Sequence, residues 1–151
     1  MGKNEKNIDD FVEKLQEKII SNEIEDFNDY IVELFHNPKN WGKPSQFNVS
    51  FKKKGIRNDS LEFFAQIKNN MIQNINFLTD GCGVTIATAS QITLLTQGKT
   101  IDYAKKITIE QVNRSLGGLP EGHKDSIELG LDVLKELINK YQNVTFGEIT
   151  K

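Results

Sequence analysis

The chain carries one thiol, Cys82, and two imidazoles, His36 and His123. Cys82 stands in the run Asp80-Gly81-Cys82-Gly83, between an alternating apolar stretch that predicts a strand and a small-residue stretch that predicts a helix. At such a junction the side chain lies near the positive end of a helix dipole. That setting suits a thiolate and makes Cys82 a candidate metal ligand, nucleophile or sulfur acceptor. The flanking glycines allow a ligand to approach the backbone closely. A free cysteine is also an ordinary small hydrophobe, so a plain packing role stands beside the chemical one. His36 and His123 have no acidic or second histidine partner at i+4 and read as surface or capping residues.

Other familiar chemistries are absent or rejected. Gly98-Lys99-Thr100 has the ending of a phosphate-binding loop, but position 93 is Thr and the tripeptide closes a helix instead of opening one. No Gly-x-Ser-x-Gly, paired-carboxylate or Ser/His arrangement stands out. Lys52-Lys53-Lys54 reads as a solvated strand end. A single cysteine excludes an intramolecular disulfide framework and any Cys-x-x-Cys zinc or redox motif, and fits a reducing compartment. Nineteen Lys and Arg against 21 Asp and Glu give a formal net charge of -2, so no global field draws a polyanion or a membrane. The expectation is a cytoplasmic protein with neither nucleic acid nor membrane as partner.

The elements that position Cys82 follow from periodicity. Ile8, Phe11, Val12, Leu15, Ile19 and Ile20 predict a helix over residues 8–21, and a second stripe from Ile24 to Phe35 runs up to Asn37-Pro38. Residues 37–45 read as a loop. The period then changes to two at Phe47, Val49 and Phe51, at Leu61, Phe63, Ala65 and Ile67, and over residues 71–79. This predicts a three-stranded antiparallel meander, with Lys68-Asn69-Asn70 as turn chemistry. Three strands cannot cover their own apolar face, so the helices must pack on it. The fold class is therefore α+β, with helices on one face of the sheet.

Beyond Gly83 the helix that ends at Gly98 is expected to bury one face made of Val84, Ala87, Gln91, Leu94 and Leu95. Its small residues Ala87, Ala89 and Ser90 invite close approach of another backbone. A short helix over 108–116 and a long one over 125–141, with Ile127, Leu131, Leu134 and Ile138 as its stripe, complete the chain. The organisation reads as an N-terminal helical extension over 1–23, a domain over 24–142 and a tail over 143–151.

The order of motifs resembles a known family. Residues 27–42, Phe-Asn-Asp-Tyr-Ile-Val-Glu-Leu-Phe-His-Asn-Pro-Lys-Asn-Trp-Gly, are similar to the opening helix and Asn-Pro loop of the U-type iron–sulfur cluster scaffolds, the NifU/IscU family. Asp80-Gly81-Cys82-Gly83, then Ile86-Ala87, Ser90 and Gly98-Lys99-Thr100, resemble its core motif, and Leu119-Pro120-Glu121 precedes the last helix as in that family. The resemblance implies a cluster assembly scaffold with the same α+β fold and no catalytic activity of its own. It also implies a two-iron two-sulfur cluster held by three cysteines, with an Asp and a His nearby.

This chain departs from that pattern. Where the family has a Cys-Gly-Asp turn between strands it has Arg57-Asn58-Asp59, and where the family opens its final helix with His-Cys it has Asp125-Ser126. By the resemblance, Cys82 and Asp59 remain in register as cofactor-binding residues, and Asp125 is a third metal ligand in place of His. Carboxylates suit single iron or zinc ions better than a sulfide-bridged pair, so iron, zinc or no cofactor stand beside the cluster. Two chains could each supply Cys82 in a homodimer. The implied partners are a cysteine desulfurase and other cluster assembly proteins. Of the family's Leu-Pro-Pro-Val-Lys chaperone-docking segment only Leu119-Pro120 is kept. Two rival readings are a metal-free carrier that takes sulfur on Cys82 as a persulfide, and a regulatory module that kept the fold and lost the cluster.

Overall fold

The computed structural model describes the backbone of residues 27–120 and 122–150 and the side chains of residues 27–120 and 122–144. The helix expected over 8–21 lies outside the described residues. So does the start of the second stripe, of which the described part is helix α1, Asp29–His36. The Asn28 side chain caps its first turn by accepting from the Ile31 amide at 3.0 Å, and this fixes its start. Phe27, outside the helix, turns its ring edge-on to His123.

Strands β1 (Val49–Lys54), β2 (Ser60–Lys68) and β3 (Met71–Thr79) form the expected antiparallel meander in the order β1-β2-β3. Asn69 and Asn70 both adopt positive φ between the paired residues Lys68 and Met71, the geometry of a two-residue hairpin loop. Alternation sends Leu61, Phe63, Ala65, Ile75 and Phe77 to one face, where all are buried. Each large side chain among them contributes about 1.5–3 kcal/mol by leaving water. Phe64 points to the opposite face and is covered there by Phe47, edge-on at 5.2 Å.

The helices lie on the Phe63 face. Helix α2 (Gly83–Thr96) covers β3, and helix α5 (Lys124–Thr150) covers β1 and β2. Between them run α3 (Ile101–Lys105) and α4 (Ile109–Ser115). Helix α3 carries no periodic signal because it is barely one turn, capped by Thr100 and anchored by buried Ile101 and Ala104. Helix α4 opens with a reciprocal capping box of Thr108 and Gln111.

Two expectations need correction. Helix α2 does not present a single buried face: it is buried on nearly every side, while Leu94, expected inside, is 43% exposed. A helix wedged among a sheet and three other helices has no polar face from which to orient its stripe. The last helix, read over 125–141, continues through residues 142–150. No proline interrupts them, and one glycine costs a helix only about 1 kcal/mol.

The loop after α1 straps the outer edge of β3. The Phe77 amide donates to the Asn40 carbonyl at 3.0 Å and the Gly42 amide to the Phe77 carbonyl at 2.8 Å. At the other end of β3, the Gly98 amide donates to the Ile72 carbonyl and the Ile72 amide to the Lys99 carbonyl. On β1 the Ser50 carbonyl accepts from Lys140 at 3.0 Å.

Candidate functional site

The end of β3, the start of β2 and the first turns of α2 and α5 meet at one corner of the domain. Thr79 and Asp80 join the two strands there. The Thr79 hydroxyl donates to the Ser60 carbonyl at 2.6 Å, and an Asp80 carboxylate oxygen accepts from the Ser60 amide at 2.6 Å. The chain then turns at Gly81, and Cys82 is the N-cap of α2, with extended backbone and no side-chain bond to the helix amides. Its thiol is exposed. The packing role is therefore excluded, and the thiol faces solvent at the helix amino terminus.

Asp59 reaches the same corner from the turn between β1 and β2. A Cβ at Gly81 would lie 2.6 Å from its Oδ2, so the missing side chain at Gly81 is what lets the carboxylate settle beside the Cys82 backbone. Likewise a Cβ at Gly83 would lie 2.8 Å from the Phe35 ring, which packs over the first turn of α2. Both glycines of the Gly-Cys-Gly run are there for close approach.

Sequence reasoning missed the residue at the centre. The Thr85 hydroxyl donates to Asp59 Oδ2 at 3.1 Å, lies 3.4 Å from Ser126 Oγ and 3.9 Å from Cys82 Sγ. Thr85 is buried and so is Ser126, which makes this hydroxyl pair the floor beneath the exposed thiol. The available signal was spacing: Thr85 is three residues beyond Cys82 and shares its side of the helix.

Arg57 and Asp125 form the far wall. Arg57 Nε donates to Asp125 Oδ2 at 2.7 Å, and Nη2 donates to the Gly122 carbonyl at 2.7 Å. This binds the β1–β2 turn to the start of α5. Asp125 Oδ1 is buried with no hydrogen-bond partner among the described residues. Asp59 and Cys82 thus share Thr85 as a neighbour, whereas Asp125 is engaged by Arg57. No group of three or more His, Cys, Asp or Glu among the described residues stands close enough to hold a metal ion. His36 closes α1 against the Phe35 ring, and His123 packs on Phe27. No helix among the described residues is long and apolar enough to cross a membrane.

Comparison with known proteins agrees with this architecture. A structure of a NifU-like protein (N-terminal) from Brucella abortus superposes with a TM-score of 0.61 over 80% of this chain and 96% of that one, at 14% identity, which establishes likeness of fold. The iron-sulfur cluster assembly scaffold protein IscU 1 of Archaeoglobus fulgidus is 35% identical over 116 residues, 76% of each chain. The iron-sulfur cluster assembly scaffold protein IscU of Aquifex aeolicus is 32% identical over 119 residues, 77% of this chain and 76% of that one. The model of the NifU-like N terminal domain matches residues 26–147, which hold strands β1 to β3 and every residue of the Cys82 corner described above, and the chain belongs to that family.

Proposed function

We propose that the chain is a scaffold of iron–sulfur cluster assembly, taking up iron and sulfur at Cys82 and passing them on, with the cluster as cargo and no reaction catalysed. The observation that carries this reading is the exposed thiol of Cys82 at the head of a 14-residue helix, beside the Asp59 carboxylate, in a chain whose relatives bear the names of cluster scaffolds. A thiolate donates charge to iron, and the amino terminus of a helix favours the anion. Asp59 serves as an oxygen ligand from its place over Gly81. The orphaned Oδ1 of Asp125 supports an auxiliary role for that carboxylate.

Arg57 and Ser126, at the positions where the family carries its other cysteines, are already bonded within the fold. A two-iron two-sulfur cluster takes four protein ligands. Cys82 and Asp59 of one chain supply half that number, so the loaded form in this reading is a homodimer sharing one cluster. The sulfur source is a cysteine desulfurase, and the setting is the reducing cytoplasm, where a lone thiol stays free.

The test is anaerobic reconstitution with iron and sulfide, followed by iron and acid-labile sulfide analysis, visible absorption and mass in solution. One cluster per dimer in the native chain and none in Cys82→Ser is the expected result. Colourless, metal-free native protein, or a Cys82→Ser variant that loads equally, refutes the reading.

A further inference from the structure

An open cleft of about 420 Å³ lies away from the Cys82 corner, between α4 and the start of α5. Arg114 and Lys124 line it with Ile109, against one acid, Glu110. The ion pairs within the described residues are Lys53–Asp132 and Arg57–Asp125, so both cations of the cleft face it without an anionic partner there. Lys124 also begins a helix of 27 residues, whose amino terminus favours neighbouring negative charge.

The described chain begins at the rim of this cleft. Asn28 donates to the Leu116 carbonyl at 2.8 Å, and its side chain occupies the space that a Cβ at Gly117 would fill. Gly117 is a cleft residue. Immediately upstream stand Glu23, Ile24, Glu25 and Asp26, three carboxylates around one apolar side chain. Residues 1–26 hold eight acidic residues against four lysines, while the remainder of the chain is net positive by two. Four extended residues reach about 14 Å, enough to cross such a cleft from its rim.

We propose that residues 23–26 dock into this cleft of their own chain, their carboxylates on Arg114 and Lys124 and Ile24 against Ile109. Docked there, the segment braces the turn that presents Gly122 and Asp125 to Arg57, and so couples the N-terminal extension to one wall of the Cys82 corner. The proposal is independent of the cargo.

A water-soluble carbodiimide tests it on the full-length protein, since it joins a lysine amine to a carboxylate in contact and departs as a urea. Peptide mass mapping should find Lys124 joined to Glu23, Glu25 or Asp26, with the Lys53–Asp132 pair, 3.3 Å apart, as internal control. Arg114→Glu, an exposed substitution, should weaken that link by about fivefold and speed amide exchange at 23–26. Adding Glu25→Arg should restore slow exchange. Lys124 left unjoined while the control forms overturns the proposal. So does a link that runs between isotopically distinct copies, which assigns the cleft to a second chain.

Discussion

The two ends of helix α2 are made of the same residue types and put them to different uses. At the carboxyl end, the Ser90 hydroxyl accepts from the Lys39 amide at 2.7 Å and donates to the Lys39 carbonyl at 3.0 Å. Thr93 donates to the Ser90 carbonyl and accepts from Asn40, and Gln91 accepts from Tyr30. These side chains bind helix α1 and the loop after it, and all three are buried. At the amino end, Thr85 bonds to side chains only, and those side chains are a carboxylate, a hydroxyl and an exposed thiol. A buried hydroxyl spent on backbone is structural. One that converges with ionisable groups under an open thiol is the arrangement on which the proposed scaffold role draws.

Substitutions along the helix can break this contrast. Ser90→Ala leaves both polar groups of Lys39 without their partner and should cost about 2 kcal/mol in urea unfolding. Its iron and sulfide content per folded chain should match the native value. Thr85→Val should cost about 1 kcal/mol, yet lower cluster content severalfold, because Asp59 loses the donor that holds it. If Thr85→Val instead loads normally, the amino end is structural too and the contrast fails. Thr96→Val sharpens the scale from below: its hydroxyl serves only the Ile92 and Thr93 carbonyls of its own helix, so the change should stay within about 0.5 kcal/mol by the same unfolding assay.

The sheet was legible because period two survives wherever one face is buried, as at Leu61, Phe63, Ala65 and Ile67. Cys82 was legible because Gly-Cys-Gly sits where one period gives way to another. The contact of Thr85 with Ser126 was not, since it joins residues 41 positions apart on two different helices, and neither hydroxyl differs in sequence from any other helical Ser or Thr. Leu94 was misplaced for the related reason that a helix enclosed on nearly all sides offers no polar stripe to orient it. The Arg57–Asp125 pair, 68 positions apart, is likewise a product of the turn geometry at Asn58, whose φ of 68° no periodicity encodes. Helix α3 is too short for any repeat to register.

The strapping of β3 bears on how the protein behaves when crowded. An open sheet has two edges on which another chain can add a strand. On β3, backbone bonds to Asn40, Gly42, Gly98 and Lys99 occupy groups that such a strand would need. On β1 the protection is of another kind, three consecutive lysines and a Ser50 carbonyl already taken by Lys140. One edge is closed by the chain itself and the other is guarded by charge, so resistance to strand-mediated aggregation should depend on salt at β1 and hardly at all at β3.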